Sequence, residues 1–567
     1  MTGEGKDTSL GAAIRSAPRL SDAKTARRRL SDCLDHPGAS GAFRELVASS
    51  SVVRDLLLGL ADHSPFLWRL ASADPPRLHA LLADDPEIRR DQLIAYTANL
   101  WLNTADEAGL MRSLRLAKQE LALLVGLADI GGCWDVETVT QALAGFADAA
   151  TACAVRFLLR EAADAGRIQL ADPNDPALGC GVVVLALGKH GAGELNYSSD
   201  IDVVVFFDPE RAPLAPGIEA TPFFVRLVRG MVKLLQERTS DGYVFRTDLR
   251  LRPDPASTPT AIALPSAFAY YETVGQNWER AAFIKARAVA GDLPIGEAFL
   301  ADLAPFIWRK YFDFAAIADI HAMKRQIHAV RGHEAIAVAG HDIKLGRGGI
   351  REIEFFVQTQ QLVFGGRRLE LRGRRTLDML TALQVDGWIT PAAETELAEA
   401  YRFLRTVEHR LQMVDDEQTQ RLPDDPERLA RFARFCGFTG LPAFAKTLTT
   451  RAARVQKHYA RLFEKGDDLS AGEGDLVFTG TSNDPQTLET LRRMGFSAPE
   501  TVAETVRGWH FGRRQAVTSA RAREVLTELV PPLLKAFAGS ADPDGAVVAF
   551  DRALGRMPAA IELFSIL

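Results

Sequence analysis

From about Val52 to Asp129 apolar residues recur at helical spacing, as at Val53, Leu56, Leu57 and Leu60, which predicts a series of amphipathic helices. Pro65, Pro75, Pro76 and Pro86 cut that series into short helices joined by tight turns. A longer helix is predicted after Asp135, a good N-cap, with the stripe Val136, Val139, Leu143, Phe146, Ala150, Cys153 and Phe157. Residues 1 to about 45 are polar and rich in Arg, Ala and Ser, and the expectation there is a mobile or weakly held arm.

The period then changes. Val182 to Leu187 and Ile201 to Phe207 are short Val-rich runs and read as strands. A helical stretch follows from Phe223 to Arg238, then the alternating segment YVFRTDLRLR at 243–252. Residues 266 to 290 read as helix and then a last strand around Phe283 to Val289. Beyond about residue 295 the pattern is helical almost throughout, punctuated by Pro391, Pro423, Pro442 and Pro531. The Gly-, Ser- and Asp-rich stretch 465–484 is the clearest linker. The expected divisions are a helical region 1–130, a mixed α/β core 131–295, a helical bundle 296–464, the linker 465–484, and further helices 485–567.

Composition narrows the classes. The 567 residues are too many for one ordinary domain. A hydrophobic share of 47% and a charged share of 25% exclude a largely disordered chain. No uninterrupted apolar run has the length of a membrane helix, and the polar start lacks a signal-peptide core, so no membrane role and a cytoplasmic location are expected. A net charge of −6 argues against a general nucleic-acid coat. The five cysteines form no C-x-x-C pair and read as small thiols rather than a zinc site or a disulfide framework.

The chemistry concentrates in GVVVLALGKHGAGELNYSSDIDVVVFFD, residues 181–208. A strand runs into a loop with Gly188, Gly191 and Gly193, which ends at Ser198 and Ser199 before the second strand opens with Asp200-Ile201-Asp202. Period-two alternation puts Asp200 and Asp202 on one face and Ile201, Val203 and Val205 on the other, toward the core. Two carboxylates at the mouth of a strand suit paired divalent cations, and Mg²⁺ prefers such hard oxygen ligands. Glycine backbone N–H groups can approach phosphate closely, and Ser199 or Lys189 could add donors. A surface hairpin is the plain alternative.

In 243–252, alternation sets Phe245, Leu249 and Leu251 toward the core and Arg246, Asp248, Arg250 and Arg252 opposite. That face is either an exposed ion-pair ladder or a catalytic face with phosphate grips. A strand beside the Asp200–Asp202 strand would bring Asp248 to the same metals, as ligand or general base. In 342–366 a glycine loop feeds a helix with Ile350, Ile353 and Val357 as its core stripe and Arg351, Glu354, Gln358 and Gln361 on another face. It reads either as a helix start between packed helices or as an anion site. His190 reads as a loop or nucleotide-contacting residue. Trp278, Glu279, Arg280 and Arg287 read as positions packed beside the core, with a phosphate role for Lys285 as an option.

These motifs resemble the nucleotidyltransferase superfamily, with its glycine/serine loop, its D-h-[DE] pair and a third acid on a later strand. Within it, LGKHGAGELNYSSDIDVVVFFD, FRTDLRLRP, QNWERAAFIKARAVAGD and DIKLGRGGIREIEFFVQ resemble the glutamine synthetase adenylyltransferase family, in that family's order over about residues 180–365. The family has adjacent glycines where this chain has Gly191-Ala192-Gly193. The resemblance implies an α+β fold, a nucleotidyltransferase-like mixed sheet embedded in a predominantly helical chain with a helical bundle after it. It implies one catalytic half of a two-site enzyme with part of its connector, and the wording NYSSDID resembles the adenylyl-removing half. The implied reaction in nitrogen metabolism is phosphorolysis of the AMP–tyrosine bond on glutamine synthetase, giving ADP. The alternatives are adenylyl transfer from ATP to the same tyrosine, or an idle module binding glutamine synthetase or the PII signal protein. By the same resemblance Asp200, Asp202 and Asp248 hold two Mg²⁺ ions and carry the chemistry. Gly188, Lys189, Gly191, Gly193, Ser198, Ser199 and Arg250 bind nucleotide and inorganic phosphate.

Overall fold

A proline at the first position of a helix sacrifices no hydrogen bond, because the first N–H groups have no intrahelical partner. The N-terminal prolines stand at such positions in the computed structural model, which describes residues 7–308, 336–461, 476, 478, 483, 485–510, 513–517 and 520–557. After α1 (Leu10–Ala13), α2 (Ala23–Leu34), α3 (Gly41–Ser49) and α4 (Ser51–His63) come α5 (Pro65–Ala73), α6 (Pro75–Ala83) and α7 (Pro86–Asn99). Ser64, Asp74 and Asp85 cap these last three through side-chain oxygens. From residue 7 onward the expected mobile arm is instead folded. Leu10, Ile14, Ala26, Leu30 and Phe43 are buried in the main core, so the polar composition of this stretch describes only its outer faces.

Two long helices follow, α8 (Glu107–Ile130) and α9 (Val136–Asp164). Asp135 caps α9 by accepting from the Thr138 N–H, and the predicted stripe from Val139 to Phe157 is fully buried. By length and composition α9 could cross a membrane, but 72% of its apolar window is buried inside the protein.

The sheet holds β1 (Val182–Ala186), β2 (Asp200–Phe207), β3 (Arg246–Asp248), β4 (Ala261–Ala263) and β5 (Arg287–Gly291), so the fold is α+β with a small mixed sheet. β1 runs antiparallel to β2 and β5. β3 and β4 both pair parallel to β2, one along its start and the other along its end. Both faces are covered, which is why the two strand runs are almost continuously apolar. Val182, Val184, Ile201, Val203 and Val205 face the main core, with α9 and α11 (Ala220–Gln236). Val183, Leu185, Val204 and Phe206 face a second core closed by α12 (Leu264–Thr273), α13 (Asn277–Phe283), α14 (Leu293–Asp302) and α15 (Ala304–Ile307). The one-turn helix α10 (Gly188–Gly191) follows β1.

Two strand expectations need correction. The ten-residue alternation at 243–252 is strand only at Arg246–Asp248, because the chain turns from Arg250 onward. The last strand begins at Arg287; Phe283 ends a helix whose start is set by a Gln276–Glu279 capping box.

After the sheet come α16 (Ile350–Phe364), α17 (Thr376–Val385), α18 (Pro391–Asp415), α19 (Pro426–Phe435) and α20 (Leu441–Arg461). Their apolar faces join the same core as the N-terminal helices. Then α21 (Pro485–Met494), α22 (Pro499–His510), α23 (Ala520–Ala538) and α24 (Pro543–Arg556) enclose a separate cluster around Trp509, Val506 and Leu534. Pro531 does not punctuate: with Pro532 it lies inside α23. The linker 465–484 falls outside the described residues except Leu476, Phe478 and Asn483.

Candidate active site

Alternation along β2 predicts Asp200 and Asp202 on one face, and parallel pairing with β3 then decides what they meet. Asp200 stands opposite Arg246, and Asp202 stands opposite Asp248. Three carboxylates therefore gather where β2 opens, at the rim of the second core.

Their environments differ. Asp200 accepts from Arg246 Nε at 2.6 Å, and Arg246 also donates to the Tyr243 hydroxyl at 2.6 Å and to Ser198 Oγ at 3.3 Å. Asp248 accepts from the Arg250 backbone N–H at 2.8 Å and from its Nη2 at 2.6 Å. Burial works to raise the Asp248 pKa, but the side-chain and backbone hydrogen bonds from Arg250 outweigh it and hold the carboxyl below the usual range. Among the described residues no donor reaches the Asp202 carboxylate. Burial, then the charge of Asp248, push it up to about 6, against the pull of Lys344. The site is thus short of positive charge at its centre.

Gly188 explains how this centre stays open. Its φ is +54°, and a Cβ there would lie 2.5 Å from Asp202 Oδ2. Any side chain would cover the carboxylate. Gly191 matters for packing instead. A Cβ there would run into the Lys285 carbonyl oxygen and lie 2.5 Å from that of Ala186, so this glycine lets α10 pack against the end of β1 and the segment leading into β5. Gly193 has φ +71° with open space, its nearest neighbour being the Arg375 side chain.

The remaining expected residues fall into two groups. Ser198 and Ser199 lie at the entry to β2: the Ser198 N–H donates to Gln412 Oε1 at 2.8 Å, and Ser199 Oγ donates to the Asp200 carbonyl at 2.9 Å. Arg250 is largely exposed, at 74%, and close to the acids. Lys189 is instead committed to structure. Its ammonium pairs with Glu408 at 3.2 Å and Asn196 at 3.0 Å, and burial pushes it down to about 8 although Glu408 pulls the other way. His190 is fully buried against Asp148, which also holds Arg287, so it is no loop contact. Lys285 is buried on Glu194 at 3.0 Å. Arg252 turns back onto the carbonyls of Leu249, Pro255 and Thr258 rather than sharing the Asp248 face.

Helix α18 holds the loop in place, a role that sequence reasoning missed. Arg405 donates to the Glu194 carbonyl and Asn196 Oδ1, Glu408 accepts from Lys189 and Asn196, and Gln412 accepts from Ser198. The spacing 401, 405, 408, 412 is the available signal, a polar stripe on one helix face. On α16, Glu354 and Gln361 are buried whereas Arg351 is exposed, so the face expected to be shared is split. Glu354 is held at about 2: burial opposes its charge, but Lys285, Lys189, Arg351 and Arg405 surround it.

The donor set fits divalent cations. A half-buried carboxylate without a donor, beside two more, lacks the positive charge that Mg²⁺ would supply, and all three present hard oxygens. Among the described residues no three such side chains are drawn into a closed cage, and Arg246 and Arg250 sit on the outer two.

A glutamate–ammonia ligase adenylyltransferase family model matches residues 55–302, and a GlnD PII-uridylyltransferase model matches 320–463. Bifunctional glutamine synthetase adenylyltransferase/adenylyl-removing enzymes are similar over almost all of this chain. That of Xanthobacter autotrophicus is 51% identical over 552 residues, 97% of this chain and 56% of its own length. Those of Mesorhizobium japonicum and Rhizobium meliloti are each 50% identical, covering 96% and 98% of this chain and 56% of their own lengths. The chain spans about half the length of the curated relatives it matches.

Proposed function

We propose, for a chain that belongs to the glutamate–ammonia ligase adenylyltransferase family, that this site removes AMP from an adenylylated tyrosine of glutamine synthetase by phosphorolysis. An oxygen of hydrogenphosphate attacks the AMP phosphorus, the bond from phosphorus to the tyrosine oxygen breaks, and the proton of the hydrogenphosphate ends on that oxygen. The products are ADP and unmodified enzyme. The carrying observation is the pairing of Asp202 with Asp248 beside Asp200 at an open glycine turn.

Asp200, Asp202 and Asp248 would hold Mg²⁺, which when bound would stabilise charge on the attacking and leaving oxygens. The chain's own residues do the rest. Gly188 keeps the Asp202 oxygens accessible, and α18 keeps the loop from Glu194 to Ser198 rigid, so that reacting groups meet a fixed surface. Arg250, exposed at the rim, would donate to phosphate oxygens, whereas the Ser198 N–H is held by Gln412 and the Ser199 hydroxyl by the Asp200 carbonyl. The name of the relatives also supports a second reading, adenylyl transfer from ATP, since both directions exchange one oxygen for another at phosphorus. The intact acid trio argues against an idle binding module. The family match over 320–463 supports PII as a partner of the helical region.

The test is to incubate the chain with adenylylated glutamine synthetase, Mg²⁺ and inorganic phosphate. Phosphate-dependent ADP release is expected. Labelling of unmodified glutamine synthetase from ATP would favour transfer, and neither product would favour the idle module.

A further inference from the structure

The two outer acids of the trio each carry a guanidinium, and the two are held very differently. Arg246 is fixed on three sides. Its Nε donates to Asp200 Oδ1 at 2.6 Å, and its terminal nitrogens donate to the Tyr243 hydroxyl at 2.6 Å and to Ser198 Oγ at 3.3 Å. The Arg250 side chain is 74% exposed, and among the described residues Asp248 is the only acceptor its guanidinium meets.

That single partner is nonetheless filled. Asp248 Oδ1 accepts from the Arg250 backbone N–H at 2.8 Å and from Nε at 3.1 Å, while Oδ2 accepts from Nε at 3.0 Å and from Nη2 at 2.6 Å. An ionised carboxylate offers about four lone-pair sites, so the guanidinium and a divalent cation compete for the same oxygens. The other two acids are open by comparison. Asp200 gives one oxygen to Arg246, and no donor reaches the Asp202 carboxylate among the described residues. The backbone that carries Arg250 is tied down, because Arg252 binds the carbonyls of Leu249, Pro255 and Thr258. Only the exposed side chain has to move for Asp248 to open, and an exposed ion pair is cheap to break.

We propose that Arg250 is an exchangeable counter-ion of the site. It holds Asp248 closed in the free protein, yields that carboxylate to a divalent cation, and turns the released guanidinium to the oxygens of the attacking phosphate. The exchange keeps Asp248 neutralised throughout. It also delivers a planar fork, matched to phosphate oxygens as it was to the carboxylate, only once the cation is seated. By linkage, a phosphate that holds the freed guanidinium favours the cation at Asp248 in return. Arg246 cannot serve in this way, since leaving Asp200 would also break its bonds to Tyr243 and Ser198.

This inference rests on reading the trio as a metal and phosphate site, and its test separates the two. Mg²⁺ alone is titrated calorimetrically into the full chain as wild type, Arg250→Gln, Asp248→Asn and the double variant, with Tm recorded for each. Inorganic phosphate is then titrated at saturating Mg²⁺. Arg250→Gln is expected to keep its Tm, to bind Mg²⁺ about fivefold more tightly because its competitor is gone, and to bind phosphate about tenfold more weakly. In the Asp248→Asn background, removing Arg250 should no longer tighten Mg²⁺ binding. An equal gain in both backgrounds would mean long-range repulsion rather than competition at Asp248, and would overturn the proposal. Mg²⁺ affinity that stays the same or falls in Arg250→Gln overturns it too, as does unchanged phosphate affinity. Mg²⁺ that binds wild type and Asp202→Asn alike sinks the metal reading and the proposal together. The expected affinities without ADP release from adenylylated glutamine synthetase sink the phosphorolytic reading alone.

Discussion

Asp202 and Asp248 stand opposite each other on parallel strands and are pushed in opposite directions: Asp202 up to about 6, Asp248 below the ordinary carboxylate range. The difference lies in their donors, since Arg250 serves Asp248 and nothing among the described residues serves Asp202.

Asp202→Asn therefore tests function against stability. A carboxyl whose folded pKa is raised above its unfolded value contributes no penalty below about pH 4 and its full penalty above about pH 6. At pH 7.5 the Asn variant is expected to match or exceed wild-type stability, by up to about 2 kcal/mol. Phosphate-dependent ADP release is expected to fall about a hundredfold or more. Chemical denaturation with a turnover assay checks both, and full turnover would remove Asp202 from the site.

Metal binding should follow the same titration. If Mg²⁺ needs ionised Asp202, its affinity falls by about tenfold for each pH unit below about 6. Mg²⁺ should also raise the Tm of wild type and leave that of Asp202→Asn nearly unmoved. A pH-independent affinity would place the ion elsewhere.

The two glycines of α10 should fail differently. Gly188→Ala forces a methyl against Asp202 at φ +54°, so activity is lost with a stability cost of about 1–2 kcal/mol. Gly191→Ala drives its methyl into two backbone carbonyls and is expected to cost more than about 3 kcal/mol, or to prevent folding. Tm and soluble yield separate the cases.

Glu279 offers a pH test away from the site. It is buried and pushed up to about 8, chiefly by burial, while one of its oxygens accepts from the Gln276 N–H at 2.8 Å. Its penalty begins above the unfolded pKa and is complete above about pH 8. Glu279→Gln retains an acceptor and adds no charge, so it should raise Tm at pH 8.5 and change little at pH 5. An equal shift at both would assign the effect to packing.

Glu408 should matter through Lys189. Glu408→Gln leaves Lys189 buried without its counter-charge and should destabilise by about 2–4 kcal/mol. A double-mutant cycle with Lys189→Met should show coupling of about 1–3 kcal/mol. Additive effects would mean that the pair does not hold the loop.

Local rules read from the sequence account for much of this protein. Prolines preceded by Ser or Asp mark the starts of α5, α6 and α7, and the Asp135 cap places α9. The Val-rich runs are β1 and β2, and period-two alternation alone puts Asp200 and Asp202 on one face. Each follows from contacts within a few residues, where capping and side-chain direction are set by the backbone. Tertiary structure decided the rest, because it depends on groups far apart in the chain. Alternation could not show that 243–252 is strand for only three residues, since that depends on where β2 offers a partner edge. Composition could not show that the N-terminal segment is folded, since its apolar residues are buried by distant helices. Nor could any local pattern distinguish Lys189 from Lys344. Both are lysines in glycine loops, but one meets Glu408, 219 residues away, and the other meets no acceptor among the described residues. Which charge is neutralised is set by long-range packing.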